Sequence, residues 1–460
     1  MDRLPLLTRR QAVSSLLAGS LLLPGLGRGG AGLWAGETPA PTDPLAPRAP
    51  HFPAKAKRVI MIYLSGGMSH VDSFDYKPKL YSAAGTKVNN KFIKRPDWEF
   101  KPRGKCGAQI SELWPHLAEK ADELCIINSL KADHGNHFEA ALGIHTGSVT
   151  LARPSLGAWV SYALGTNDKN LPSFVVLAPE LPYAGGQVWS ANFLPPCHQG
   201  VRITPGDEPI PDIIRRLPTA GLQGLELGLV QSLNQRHLQG RPDQALSGRM
   251  DAFTTAGGMQ NEAPEVFDLS TESDATHELY GLKRGDKKGF AWQALVARRL
   301  AERGVRFIEL IDVGANSGHN WDAHGDMASH TPLAKNVDQP TAALLTDLRQ
   351  RGMLDDTLVI FTTEFGRTPT VEGEKNKGRE HHPNCFTSWL AGGGVKAGMT
   401  YGASDELGIE VAEKLVHVND FHATILHLLG LDHEKLTYRY GGRDFRLTDV
   451  AGNVVKDIIA

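Results

Sequence analysis

The chain has 460 residues, 41% of them hydrophobic, with 49 Lys and Arg against 51 Asp and Glu and 18 His. This composition excludes disordered, collagen-like and disulfide-scaffold classes, and at this length one large domain with insertions, or two domains, buries a core without needing a metal or disulfide merely to fold. The formal charge of −2 gives no global reason to expect nucleic acid or an anionic membrane as a partner.

Thr8-Arg9-Arg10-Gln11-Ala12-Val13, the apolar run Val13 to Leu26 and the small residues after it predict a twin-arginine signal peptide over residues 1–35. The alternative is a basic amphipathic amino terminus that stays attached. The run falls short of the roughly 20 residues a membrane-spanning helix needs, and no later uninterrupted run reaches that length. No membrane span is therefore expected in the mature chain. Export by the twin-arginine machinery, to the periplasm or the extracellular space, is the expectation. Loss of residues 1–32 removes four arginines and one aspartate, moving the formal charge from −2 to −5. Residues 36–57, rich in Pro and Ala, read as a flexible lead-in, and residues 58–460 as the folded domain.

Arg58 to Leu64 is a continuous apolar run ending in Ser65-Gly66-Gly67, as a buried strand opening into a loop would be. Further strands are expected at Glu123 to Asn128, Ser173 to Leu177, Val305 to Val313, Thr357 to Thr363 and Cys385 to Leu390. Helical patterns occupy Glu112 to Ala121, Phe138 to Ile144, Leu156 to Leu164, Phe290 to Arg303, Pro340 to Arg351 and Asp420 to Leu429. Alternating strands and helices predict an α/β sandwich around a largely parallel sheet, with a polar helical insertion at about 210–282.

Ligands of open α/β sheets gather beyond the carboxyl ends of strands, and polar clusters fall where this rule places them. His70 and Asp72 follow the first strand; imidazole with carboxylate suits zinc, manganese or iron. Asp72 as a cap for backbone amides is the structural alternative, and Asp75 is read in that structural role. Asp133-His134-Gly135-Asn136-His137 opens a helix; His137 is read as a metal ligand and His134 as a residue orienting substrate. Trp321-Asp322-Ala323-His324 offers Asp322 and His324 as a ligand pair, with Asp312 and His319 in reserve. Glu364 ends a strand as a further ligand, and Arg367 beside it is expected to bind an anionic group through forked hydrogen bonds. At His381-His382, His382 is favoured as ligand, with His381 its partner or simply exposed. His422 is read equally as a packing residue. Cys106, Cys125, Cys197 and Cys385 are widely spaced without a C-x-x-C pair. Redox and thiolate–metal chemistry are accordingly not expected of them, whereas disulfides stay open in an exported protein.

Taken together, Gly66-Gly67-Met68-Ser69-His70-Val71-Asp72, Trp321-Asp322-Ala323-His324-Gly325, Glu364-Phe365-Gly366-Arg367-Thr368-Pro369, Gly378-Arg379-Glu380-His381-His382-Pro383, Leu390 to Gly398 and Asp420 to Ile425 resemble the exported family called domain of unknown function 1501. The resemblance covers most of residues 58–445 and implies kinship with the alkaline phosphatase and sulfatase superfamily. It implies an alkaline phosphatase-like three-layer sandwich holding one or two divalent ions, zinc or manganese favoured over calcium or magnesium. It supplies no established substrate. Departures are specific. Ser65, Gly66 and Gly67 stand where that superfamily places a metal-binding aspartate, so His70 or Asp72 would substitute. The position of its covalent nucleophile, nine residues before Thr146-Gly147, holds His137. No cysteine stands in the C-x-[PA]-x-R context of sulfatases. Glu364 resembles an acidic ligand followed by Phe365 in place of a second ligand, and His382 matches a later histidine.

The resulting expectation is a metal-dependent hydrolase of a phosphate or sulfate ester, with His70, Asp72, His137, Asp322, His324, Glu364 and His382 as metal ligands and activated water as nucleophile. Phosphorylation of His137 is the minor variant. The partner would be a small anionic ester or a sulfated or phosphorylated glycan. The rival expectation is a non-catalytic envelope protein that binds an anionic glycan through Lys87 to Lys105, a segment with seven basic residues against Asp97 and Glu99.

Overall fold

The computed structural model describes residues 43–214, 217–239, 244–314 and 320–460. The expected signal peptide, the start of the lead-in and His319 lie outside the described residues. From Asp43 onward the chain forms one compact unit.

A nine-stranded sheet organises it. Its strands are β1 (Arg58–Leu64), β2 (Leu124–Lys131), β3 (Phe174–Leu177), β4 (Val201–Ile203), β5 (Phe307–Asp312), β6 (Thr357–Thr363), β7 (Phe386–Ala391), β8 (Met399–Tyr401) and β9 (Val416–His417). The order is β8-β2-β7-β6-β1-β5-β3-β4, with β9 pairing β2. Strands β6, β1, β5, β3 and β4 are mutually parallel. β7 runs against both its neighbours, while β8 and β9 lie parallel to β2. The three short strands β4, β8 and β9 carry too little apolar sequence to stand out in the chain.

The apolar run of β1 is explained by burial on both faces. Ile60, Ile62 and Leu64 enter one core cluster, and Val59, Met61 and Tyr63 the other. Helices Gly289–Glu302 and His330–Gln350 pack into the first cluster, whereas His137–Thr146, Leu156–Leu164 and Val418–Leu428 pack into the second. The result is the expected three-layer sandwich. The insertion is helical at Ala220–Gln239, Gln244–Phe267 and Asp274–Tyr280, and Met259, Ala263, Val266 and Tyr280 anchor it to the first cluster.

Two helices differ from their sequence pattern. His330–Gln350 runs through Pro340, because Leu333, Ala334, Val337, Leu344, Leu345 and Leu348 bury one continuous face. That packing outweighs the roughly 3 kcal/mol an internal proline costs. Conversely, the helix expected at Glu112 to Ala121 shrinks to Pro115–Ala118, since the preceding Ala108–Ser111 is taken up in a hairpin with Phe100–Arg103.

The register places the polar motifs. Leu64 pairs with Thr363 and with Asp312, so the loops after β1, β5 and β6 emerge side by side. Leu130 of β2 pairs with Phe386 of β7. Because β7 is antiparallel, the residues preceding it reach the same edge that the other strands reach with their carboxyl ends.

Beneath that edge lies a buried charge pair. Glu309 of β5 projects toward the cluster that holds Phe307 and Ile311, and its Oε1 sits 2.7 Å from His145 Nε2. His145 Nδ1 donates to the Ala141 carbonyl at 2.6 Å, so both ring nitrogens face acceptors. Burial pushes the His145 pKa down, but the Glu309 carboxylate outweighs it and raises it. Replacement Glu309→Leu, which leaves His145 facing no carboxylate, is expected to cost about 3–5 kcal/mol in urea unfolding. Because the folded-state pKa of His145 is raised, the pair's contribution is complete below about pH 6.5 and declines as pH rises through that folded value. The stability gap between wild type and His145→Gln therefore narrows at alkaline pH.

Candidate functional site

The site grows from Glu364, the residue after β6. Fully buried, its carboxylate accepts hydrogen bonds from Tyr63 Oη (2.9 Å), the Gly66 amide (2.8 Å) and Thr363 Oγ1 (3.1 Å). It also accepts from His137 Nδ1 at 2.7 Å. Burial raises its pKa, but the His137 and Tyr63 hydrogen bonds overcome this and hold it below the ordinary value. His137 is the first residue of helix His137–Thr146, where Asn136 caps the Phe138 amide at 3.1 Å. Its ring is held between Tyr183, stacked at 4.0 Å, and Phe365 at 4.9 Å.

With Nδ1 donating to Glu364, neutral His137 turns a bare Nε2 inward, where it is buried without a hydrogen-bond partner 3.3 Å from Asp322 Oδ2. His381 repeats the pattern: Nδ1 donates to the Gly135 carbonyl at 2.7 Å, and Nε2 lies 3.2 Å from Asp322 Oδ1. His324 does so again, with Nδ1 2.8 Å from Glu380 Oε2 and Nε2 3.0 Å from Asp322 Oδ1. His324 Nε2 and His381 Nε2 are only 2.9 Å apart. Three imidazole nitrogens that carry no proton in their neutral forms thus converge on one carboxylate. Acceptors so arranged require a positive charge among them, either a cation or added protons. Donor atoms of His137, Asp322 and His381 lie within 4.8 Å of one another, a grouping that could hold a metal ion. Side-chain exposure rises from 9% at His137 through 22% at Asp322 and 23% at His381 to 41% at His324, so the cluster opens to solvent on the His324 side.

Asp322 is fixed from behind by Arg367. The Arg367 guanidinium is fully buried and donates to Asp322 Oδ1 (2.5 Å), the Gly67 carbonyl (2.8 Å), the Arg379 carbonyl (3.2 Å) and the Gly66 carbonyl. Burial would raise the Asp322 carboxyl, but the His137 and His381 imidazoles and the Arg367 guanidinium gathered around it outweigh burial and hold it well below the usual range. His137 is raised in turn: burial lowers it, and the Asp322 and Glu364 carboxylates outweigh burial. Gly66 is obligatory in this loop, since with φ of 122° a Cβ there would lie 2.6 Å from the Asp322 amide nitrogen.

The residues expected at the site divide by position. His137, Asp322 and His324 come together. Glu364 stands behind His137, with every contact spent on orienting it, and each nitrogen of Arg367 is engaged by protein groups. His134 lies at the exposed rim, where Nδ1 accepts from the Asn136 amide at 3.1 Å. His70, Asp72 and His382 lie outside the Asp322 cluster. Asp72 is buried against Arg379 (2.7 Å), the Ser69 hydroxyl (2.5 Å) and the Asp97 amide (3.0 Å). Asp312 accepts from Trp321 Nε1 at 2.7 Å, and burial pushes its carboxyl up to about 6. His422 is buried with Nε2 2.7 Å from the Ile144 carbonyl.

Strand alternation explains how the two adjacent histidines part. His381–His382 pairs with Gly366–Arg367 as a two-stranded ribbon, and successive side chains of a strand face opposite ways. His381 faces Asp322, whereas His382 stacks on His70 with ring centroids 5.7 Å apart. The sequence favours His382 as the ligand; strand alternation instead brings His381 to Asp322. Tyr183, Asn320 and Glu380 carried no sequence signal: Asn320 donates to Tyr183 Oη at 3.1 Å and accepts from the Asp322 amide at 3.0 Å.

Arg367→Met is expected to cost about 3–5 kcal/mol in chemical denaturation, because it strands Asp322 and three carbonyls in the interior. A variant as stable as wild type would instead mean that the guanidinium is free to serve a ligand.

Among curated proteins none matches the chain. Solved structures similar to it include the lipoteichoic acid synthase LtaP from Listeria monocytogenes, at 11% identity and a TM-score of 0.36 over 88% of this chain and 79% of that one. The PsFucS1 sulfatase from Pseudoalteromonas sp. has 14% identity and a TM-score of 0.35 over 82% of this chain and 68% of that one. The alkaline phosphatase from the Antarctic bacterium TAB5 has 11% identity and a TM-score of 0.35 over 82% and 99%. These values are too low to carry substrate or mechanism across. The sequence itself is decisive about kinship: residues 56–459 match the family described as protein of unknown function (DUF1501), and the chain belongs to that family.

Proposed function

We propose that the chain is an exported metal-dependent hydrolase of a phosphate or sulfate ester that uses activated water. The observation that carries this reading is the convergence of bare Nε2 atoms of His137, His381 and His324 on Asp322. His137, Asp322 and His381 would hold the ion, with His324 beside them on the open side. Imidazoles with one carboxylate favour zinc or manganese over calcium or magnesium. Such an ion supplies Lewis acidity and lowers the pKa of water toward neutrality.

The chain's own groups prepare the site. Glu364, Gly135 and Glu380 hold the three Nδ1 protons outward, and Arg367 fixes Asp322, so the inward donors are arranged before anything binds. The amino end of helix His137–Thr146 turns its positive dipole end toward the cluster and favours an anion there. His134, exposed just before that helix, would contact such an anion. Arg367 acts through Asp322 in this account rather than on substrate, and His70, Asp72 and His382 leave the ligand set. The signal-like amino terminus supports export; among the described residues no helix is long and apolar enough to cross a membrane.

The glycan-binding alternative receives less support. Within Lys87 to Lys105, Lys94 pairs with Asp97 at 2.7 Å, Lys91 with Glu372 at 3.8 Å, Arg95 with Glu99 and Lys101 with Glu112. Four of its seven basic residues are already neutralised, which leaves little net charge for a polyanion.

Purified full-length protein is expected to turn over a phosphate monoester, phosphate diester or sulfate ester, to lose that activity to a chelator and to regain it with zinc or manganese. Asp322→Asn should weaken metal binding at this centre more than tenfold. Glu364→Gln, which removes the carboxylate that orients His137, should weaken it about 10–100-fold, with circular dichroism checking that the variant stays folded. Metal-loaded protein inactive on all three ester classes would contradict the reading.

A further inference from the structure

On the other face of the His381–His382 ribbon lies a second cluster, independent of the Asp322 centre. Donor atoms of His70, Asp75 and Cys385 lie within 4.8 Å of one another, and all three side chains are buried. His70 begins the single turn His70–Asp72 after β1, Asp75 follows that turn, and Cys385 immediately precedes β7. His382 covers the group, its ring stacked within 10° of parallel on His70.

Two nitrogens in this interior have no partner. His70, with no exposed surface, places Nε2 3.1 Å from the Gly408 carbonyl but leaves Nδ1 unbonded, and His382 Nε2 is likewise buried and unbonded. A bare imidazole nitrogen buried without a donor is destabilising unless something binds it. Gly366 packs against the His70 nitrogen: a Cβ there would lie 2.5 Å from His70 Nδ1 and 2.8 Å from the Cys385 carbonyl oxygen. Only a glycine fits at this position beside the His70 ring. The Cys385 thiol donates to the Asn128 carbonyl at 3.5 Å. Asp75 Oδ1 is held by Lys77 Nζ at 3.0 Å, and Oδ2 takes the Ser404 hydroxyl, a rotor that can turn away.

We propose that His70, Asp75 and Cys385 form a second, buried site for a divalent transition ion of the zinc class, with His382 as its cover. Thiolate, imidazole and carboxylate together select zinc and its neighbours over calcium or magnesium. On binding, the Cys385 thiol gives up its proton to solvent and a metal–sulfur bond forms in place of the S–H bond. No sulfur belongs to the Asp322 cluster, so the two centres differ in a way spectroscopy reads directly. A role in folding follows from position, since the ion would tie the turn after β1 to the segment entering β7.

The test is cobalt(II) reconstitution of the full chain after chelation, read by near-ultraviolet absorption for the thiolate-to-cobalt charge-transfer band. The band is expected in wild type, is retained in Asp322→Asn, and is lost in Cys385→Ser and strongly reduced in His70→Asn. Retention in Asp322→Asn keeps this result separate from the fate of the hydrolase reading. Wild-type protein that gives no thiolate band under excess cobalt would overturn the proposal, even if the variants do not fold. A band that survives in folded Cys385→Ser would overturn it as well, by assigning the sulfur to another cysteine.

Discussion

The arrangement depends on one buried contact, the Arg367 guanidinium against the Asp322 carboxylate. A carboxylate facing three imidazoles at the mouth of an α/β crevice would otherwise be free to turn toward water. Arg367 prevents this, because the same guanidinium is bound to the carbonyls of Gly66 and Gly67 and so joins the loops after β1, β5 and β6 into one rigid floor. A planar fork of donors can hold a carboxylate and several carbonyls at once, which an ammonium cannot. Around that anchor each imidazole is turned by its own outer acceptor, Glu364, Gly135 or Glu380. Orientation is thus fixed by groups that do not themselves touch the centre of the cluster.

The sheet supplies the placement. Parallel strands deliver Gly66, Asp322 and Glu364 from their carboxyl ends, and the single reversed strand β7 delivers His381 from its amino end. The ribbon before β7 then acts as a partition. Its alternation sends His381 to an open, nitrogen- and oxygen-lined cluster and His382 to a closed one beside a thiol. Adjacent residues in sequence come to serve environments with different solvent access and different donor chemistry.

Much of this was legible in the sequence. Long apolar runs mark β1, β5 and β6, since strands buried on both faces leave little room for polar residues; of the seven ligands the crevice rule selects, His137, Asp322 and His324 come together, while His70, Asp72, Glu364 and His382 do not join them. Less was legible where function depends on direction rather than on residue type. Arg367 has the composition of an anion-binding residue, but its place beneath the Gly66-Gly67 loop turns every nitrogen inward. Glu364 has the composition of a ligand, yet Tyr63 and the Gly66 amide draw it behind His137. Cys385 carried no metal-binding spacing, because its neighbours His70 and Asp75 come from more than 300 residues earlier in the chain. Tyr183 is equally silent in the sequence: an aromatic residue in a loop announces nothing until the fold stacks it on an imidazole.

The central claim is that the inward Nε2 atoms and Asp322 are arranged for a cation rather than for shared protons. Protonation is a real competitor, since both carboxylates raise the pKa of His137. The most direct discriminator is an anomalous difference map from crystals grown with zinc near neutral pH and recorded on both sides of the zinc absorption edge. The account predicts a peak bounded by His137 Nε2, His381 Nε2 and the Asp322 carboxylate. A map without that peak, with the imidazoles and Asp322 still hydrogen-bonded directly to one another, would contradict it.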